Sequence, residues 1–330
     1  MRTAPRRWWL LALVPPVALV AGLAVGSVRL TPGEVVLALT GGADPVARTI
    51  VVDLRLPRVL LAAGVGAGLA AAGAAYQGLF RNPLAEPFVV GAASGAALGA
   101  TLAIVTGWAG PAPQLVSPVP VAALAGAVGA AALTYGLSAA VRAESVVGLL
   151  LTGVAVGTLL NAAVWVVMSW NDHDLARIIA WLMGSLAGRG WADLGRTGLW
   201  LAVGVGGAWL LARPLDALAE GEAAARGLGL RVRAATAAVV AAACLATAAA
   251  VAAGGVIGFV GLIAPHVARR LVGEPHARLI PASALLGATL LVVADTVART
   301  VVAPVELPVG VVTAALGGPF FLYLIGRRRV

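Results

Sequence analysis

Few residues in this chain have side chains suited to catalysis, and their spacing is sparse. The three histidines are His173, His266 and His276. His266 lies in Ala264-Pro265-His266 with no second histidine or carboxylate at metal-ligand spacing, so it reads as a structural histidine. His276 falls in a polar connection, and His173 sits between Asp172 and Asp174, a trio that reads first as a solvated loop and only second as a weak cation site. Cys244 is the one cysteine, set in an Ala/Val run, which excludes a disulfide framework and a Cys-rich metal centre. HExxH and GxSxG are both absent, so neither a zinc-protease helix nor a nucleophile elbow is on offer. All 23 basic residues are arginine. Without a lysine the chain has no GxxxxGK[ST] phosphate loop, and any energy source must lie in a partner.

What the remaining polar residues can do is pair and dock. Arg55 and Arg58 stand in Arg55-Leu56-Pro57-Arg58 before an apolar run, and Arg299 follows Asp295 by four residues. A planar guanidinium binds a carboxylate through two parallel hydrogen bonds, which suits it to meet an acidic partner. The i, i+4 spacing equally allows a local Asp295–Arg299 pair. Asn82-Pro83-Leu84 reads as a turn, with Ser145 at the start of a later apolar run. Thr158 and Asn161 sit inside an apolar run near Trp165, where they either line a path or bond helix to helix.

The elements that must position these groups are membrane helices. Hydrophobic residues make up 61% of the 330 positions and charged residues 11%, far from the roughly 25% charged typical of soluble domains. Lipid satisfies no backbone polar group, so each crossing needs about 20 apolar residues in a helix. The apolar runs predict spans near 8–28, 59–79, 88–107, 118–140, 146–168, 193–212, 234–254, 255–268, 279–299 and 307–326. The eighth is short and either broken or tilted. The first resembles a secretory signal but reads as an uncleaved first helix, because many further spans come after it. With the N-terminus inside, 15 of the 23 arginines fall on the cytoplasmic side, the bias of positive-inside topology. The net charge of +9 is therefore a topology signal and does not indicate nucleic acid. Gly91, Gly95 and Gly99, like Gly64 with Gly68 and Gly153 with Gly157, recur every fourth residue and predict close helix packing. Segments 96–102 and 284–290 echo each other too weakly to establish a repeat.

Two polar segments stand out. In 29–58, on the outside, Thr31-Pro32-Gly33-Glu34 predicts the start of a short surface helix. In 213–233, on the inside, Pro214 and Asp216 suit a helix first turn, and Gly227 with Gly229 interrupt the helix further along. That segment serves either as a docking surface for a soluble partner or as a solvated loop.

The blocks RLPRVLLAAGVGAGLAAAGAAYQGLFRNPLAEPFVVGAASGAALGA and GGVIGFVGLIAPHVARRLVGEPHARLIPASALLGATLLVVADTVART, with PVELPVGVVTAALGGPFFLYLI after them, resemble the permeases of ATP-driven importers for iron–siderophores, haem and cobalamin. Several motifs agree in type, order and spacing. The resemblance implies an all-α membrane protein of about ten transmembrane helices, N-in and C-in, forming a single permease domain that works as a homodimer without a cofactor. It implies two cytoplasmic ATPase subunits below and an extracytoplasmic substrate-binding protein above, which Arg55, Arg58 and Arg299 would meet. It places the ATPase coupling surface in 213–233, with Leu215, Leu218, Glu222, Arg226 and Leu228 as contact residues. Asn82, Leu84 and Ser145 match positions that narrow the cytoplasmic end of the pathway; for Thr158 and Asn161 the two readings, path lining or helix–helix bonding, stay open. Two other classes stay in view. An ion-coupled secondary transporter usually carries ionisable groups near the midplane. Here Asp295 is the only acid within a predicted span apart from Asp193 at a span edge. An intramembrane enzyme would need an acid–histidine pairing that the spans lack.

Overall fold

The computed structural model describes residues 8–26, 28–108, 118–141 and 146–327. Among these, every regular element is helical. In chain order the α-helices are α1 (Trp8–Ala24), α2 (Pro32–Thr40), α3 (Pro45–Arg48), α4 (Leu56–Leu79), α5 (Ala92–Val105), α6 (Pro118–Ala140) and α7 (Val146–Ser169), then α8 (Leu175–Leu182), α9 (Trp191–Leu210), α10 (Ala212–Ala219), α11 (Glu222–Gly227), α12 (Val232–Gly254), α13 (Val260–Val272), α14 (His276–Ala298) and α15 (Val309–Arg327).

Among the described residues, five stretches are long and apolar enough to cross a membrane: Pro45–Leu79, Pro118–Ala140, Val147–Ser169, Val232–Gly254 and His276–Ala298. A sixth is the pair α9 and α10, bent by 53°. The remaining predicted spans are shorter helices. The one expected over 88–107 is a 3₁₀ turn, Pro87–Val90, and the 14-residue α5. The one expected over 255–268 opens with an irregular stretch, because Gly255 and Phe259 both adopt positive φ, and continues as the 13-residue α13. The second span starts earlier than expected, since α3, a π-helical turn over Thr49–Arg55 and α4 run together for 35 residues. The polar groups Asp53, Arg55 and Arg58 suggest a loop there; the fold instead gives the two arginines partners within the chain.

α4 lies at the centre, packed against α9, α12, α13 and α14, while α5 packs chiefly on α6 and α7. Small residues make this possible. A Cβ on Gly66 of α4 would overlap the carbonyl of Gly287 in α14, and one on Gly287 would overlap that of Gly66. Gly95 and Gly99 lie just as close to Gly126 and Ala122 of α6, so this glycine stripe is a packing surface. Outside the bundle, α2 begins with a capping box: Thr31 Oγ1 accepts from the Glu34 N–H, and the Thr31 N–H donates to Glu34 Oε2 at 2.7 Å. These bonds from Thr31 hold the exposed Glu34 carboxyl below its ordinary value.

Candidate functional site

The polar groups gather at the two ends of the long helices. At the end where α1 and α14 finish and α4 begins lies a cavity of roughly 380 Å³, lined by Asp53, Arg55, Arg58, Arg189, Arg299 and Glu306. The arginines there are less free than the sequence suggests. Arg55 is 7% exposed, and its guanidinium donates to the carbonyls of Leu23, Ala24 and Val28. The last carbonyls of a helix have no partner inside it, so Arg55 caps the end of α1. Arg299, 5% exposed, donates to the Gly22 carbonyl and to Thr296 Oγ1. Arg58 binds Asp295 through two nitrogens and turns its third, Nη1, to Glu306 at 2.9 Å. The expected local pair of Asp295 with Arg299 is present but longer, at 3.7 Å. Within this chain Arg55 and Arg299 are bonded to the end of α1, and Arg58 reaches the surface beside Glu306.

At the opposite end, 213–233 folds as α10, a turn at Gly221, α11 and the start of α12. Leu215 and Leu218 are buried against the chain's own core, at 0% and 4% exposure. The partner contact expected of them is thus not offered on the open surface of this chain. The apolar face of α10 instead packs on α4 and α14, which needs that cover. Leu228 is 76% exposed, and Arg226 pairs with Glu222 at 2.7 Å on the open side of α11. Glu222, Arg226, Arg231, Arg233, Tyr135 and Ser138 border a cavity of roughly 550 Å³.

Asp216 suits the first turn of its own helix by sequence, but in the fold it caps another. Its Oδ1 accepts the backbone N–H of His276 at 2.9 Å and lies 2.6 Å from His276 Nδ1. Facing a carboxylate, which only accepts, Nδ1 carries the hydrogen. At the next residue, Trp209 Nε1 donates to the Ala277 carbonyl at 3.1 Å. That carbonyl has no helical donor, because residue 281 is proline and lacks an N–H. A parallel case occurs in α13. Pro265 leaves the Gly261 carbonyl without its helical donor, and Gln77 Nε2 approaches it at 3.4 Å, while Gln77 Oε1 accepts from Arg269 at 3.1 Å. Both prolines are visible in the sequence; the side chains answering them are not.

The turn after α4 is shaped by its own residues. Asn82 Oδ1 accepts the Leu84 N–H at 3.0 Å, an Asx turn, and Asn82 is exposed with Leu84 half-buried. Glu86 Oε1 accepts the Phe259 N–H at 3.3 Å, which ties this loop to the positive-φ residue that opens α13. Burial holds the Glu86 carboxyl above the ordinary glutamate range, with the Phe259 bond pulling the other way. Ser145 lies outside the described residues. Thr158 and Asn161 share an exposed face of α7 with Leu151, Val154 and Trp165, and the Thr158 hydroxyl is bonded back to the Val154 carbonyl.

Comparison with known proteins gives consistent matches. The FecCD transport family matches residues 13–327. The chain is 39% identical over 321 residues to the Fe(3+)-citrate import system permease protein YfmE of Bacillus subtilis, covering 96% of this chain and 93% of that one. It is 43% identical over 279 residues to the hemin transport system permease protein HmuU of Yersinia pestis, covering 84% and 83%. It is 43% identical over 291 residues to the cobalamin import system permease protein BtuC of Halobacterium salinarum, covering 88% and 76%. Among solved structures it superposes on an inward-facing metal-chelate type ABC transporter with a TM-score of 0.87 and 33% identity, covering 98% of this chain and 99% of that one.

Proposed function

The chain belongs to the FecCD transport family, and from that premise we propose how its two polar ends are used. It is the permease subunit of an ATP-driven importer, a multi-pass protein of the cytoplasmic membrane, and ATP hydrolysis is the work of a separate component. Three finer points belong to the proposal. The permease takes up a ferric chelate such as an iron–siderophore, or the related haem or cobalamin. It works as a homodimer, N-in and C-in, with two ATPase subunits on the α10–α11 face and a substrate-binding protein on the Arg58–Glu306 face. It moves its ligand by alternating access.

The observation that carries this is the likeness to a metal-chelate transporter over 98% of the chain. The surfaces support it. The α7 face with Thr158 and Asn161 is mostly apolar and exposed among the described residues of one copy, which suits a second copy and a weakly binding path. Ligand choice then rests with the binding protein. On the α11 side, Leu228, Glu222 and Arg226 are the groups left open to an ATPase, and exposed ion pairs alone contribute only about 0–1 kcal/mol. On the other side, an acidic partner would compete with Glu306 for Arg58. Asn82 and Leu84 lie on the same end as α10 and remain the gate residues of this proposal, together with Ser145.

Reconstitution tests the reading. The permease, its ATPase and its binding protein in proteoliposomes should accumulate ferric chelate only with ATP. Uptake by the permease alone, driven by an ion gradient, would overturn it in favour of a secondary transporter.

A further inference from the structure

The two polar ends are joined by one helix, α14, and both of its ends are held by side chains from elsewhere. Its 23 residues span about 35 Å. At the first turn, Asp216 takes the His276 N–H and imidazole, and Trp209 takes the carbonyl that Pro281 orphans. Trp209 ends α9 and Asp216 lies in α10, so both grips come from the 53° elbow between those helices. At the last turn, Asp295 is 1% exposed and held by Arg58, while Arg299 just beyond is anchored on the end of α1. Between the ends, the reciprocal Gly66–Gly287 contact seats α14 against α4 without intervening side chains.

We propose that α14 is the element through which the ATPase face and the binding-protein face sense each other, and that Trp209 and His276 are positioning residues that fasten it to the coupling elbow. This rests on the importer reading above. The physical reason is the nature of the grips. An elbow that tilts away would break both bonds, and the loss weighs most at His276, which is 4% exposed, because an unpaired buried group is unfavourable, while the exposed Trp209 bond adds direction to the grip. A packed helix moves as a body, so a shift at His276 arrives at Asp295 and changes how Arg58 is presented beside Glu306. Coupling of this kind is reciprocal: whatever factor the binding protein exerts on the ATPase state, that state exerts on binding-protein affinity.

The test uses the complete transporter in proteoliposomes, with basal ATP hydrolysis, its stimulation by loaded binding protein, and binding-protein affinity with and without nucleotide as readouts. Trp209→Phe keeps the ring face and removes one donor. His276→Ala removes the imidazole, and His276→Asn restores a donor near the Nδ1 position. Trp209→Phe and His276→Ala should assemble and hydrolyse ATP at the basal rate, yet lose at least about 5-fold of the stimulation, the lower end of ordinary coupling. The nucleotide effect on binding-protein affinity should shrink as well, and His276→Asn should recover both. Wild-type stimulation in both Trp209→Phe and His276→Ala overturns the inference. So does a parallel loss of basal and stimulated rates, which marks a merely structural role. If His276→Ala fails to assemble, Trp209→Phe decides alone. The importer reading is judged separately, by whether the wild type shows ATP-dependent uptake at all.

Discussion

Arg58 and Asp295, 237 positions apart in the chain, meet in a two-pronged ion pair in which Nε and Nη2 both donate to Oδ1, at 3.1 and 2.9 Å. The carboxylate is almost wholly buried, and the third nitrogen of the same guanidinium reaches the partly exposed Glu306. One arginine therefore joins α4, α14 and the connection that leaves α14.

Removing Asp295 leaves a mostly buried guanidinium with only the partly exposed Glu306, and breaking a buried pair from one side typically costs about 3–5 kcal/mol. Asp295→Ala should lower the melting temperature of the purified permease markedly. Glu306→Ala, at the exposed edge, should cost no more than about 1 kcal/mol. Equal shifts for the two would show that burial does not set the value of this pair.

The two ends of the coupling segment should respond oppositely to the same substitution. Leu215 is fully buried and Leu228 exposed. Truncating a buried leucine costs about 2–5 kcal/mol, and a carboxylate there is worse, so Leu215→Asp should fail to yield folded protein. Leu228→Asp should insert and purify normally but copurify poorly with its ATPase. Folded Leu215→Asp protein with normal yield would contradict the inward orientation of α10.

Restoring an N–H at position 281 gives the Ala277 carbonyl a helical donor. In a double-mutant cycle, Trp209→Phe should cost about 0.5–1.5 kcal/mol on its own and less in the Pro281→Ala background. Additive melting shifts would mean that the indole and the proline are unrelated.

Glu86 is held above the ordinary glutamate value, so the folded state binds its proton more tightly than the unfolded state does. Stability from this group is then fully present at low pH and falls as pH rises from the unfolded pKa through the raised folded pKa. Glu86→Gln keeps an acceptor for the Phe259 N–H and removes the charge. The difference in melting temperature between variant and wild type should grow in the variant's favour across that window. A constant difference with pH would place the carboxylate in an unstressed setting.

For topology, single cysteines at Thr40 and Leu228 in a Cys244→Ala background should react with impermeant reagent from opposite sides of the membrane. Both sites are exposed, so labelling of both from one side would overturn the N-in, C-in arrangement.

Much of the helical layout is legible in the sequence because apolar runs of spanning length leave few alternatives. The run over 118–140 coincides with α6, and that over 146–168 ends one residue short of α7. The 29–58 segment is less transparent. Thr31 announces α2 through its capping box, but Asp53, Arg55 and Arg58 hide the fact that the next helix is already under way. Charge marks a loop only if it stays in water, and here Arg55 is absorbed by carbonyls of α1 and Arg58 by Asp295. The coupling segment misleads for a similar reason. Spacing shows that Leu215 and Leu218 share a helix face, and cannot show that the face turns inward. Asp216 and His276 are 60 positions apart, with nothing local in either to name the other.

The separation of Arg58 from Asp295 also orders events in time. Ribosomes add roughly 5–20 residues per second, so about 12–47 s pass between the synthesis of the arginine and that of its carboxylate. Throughout that interval the nascent protein must keep Arg58 at the lipid–water boundary, where a long side chain can reach water. Only when α14 enters the bilayer can the guanidinium be drawn inside. The early helices are thus threaded with an unfinished seam, which residue 295 is the first to close.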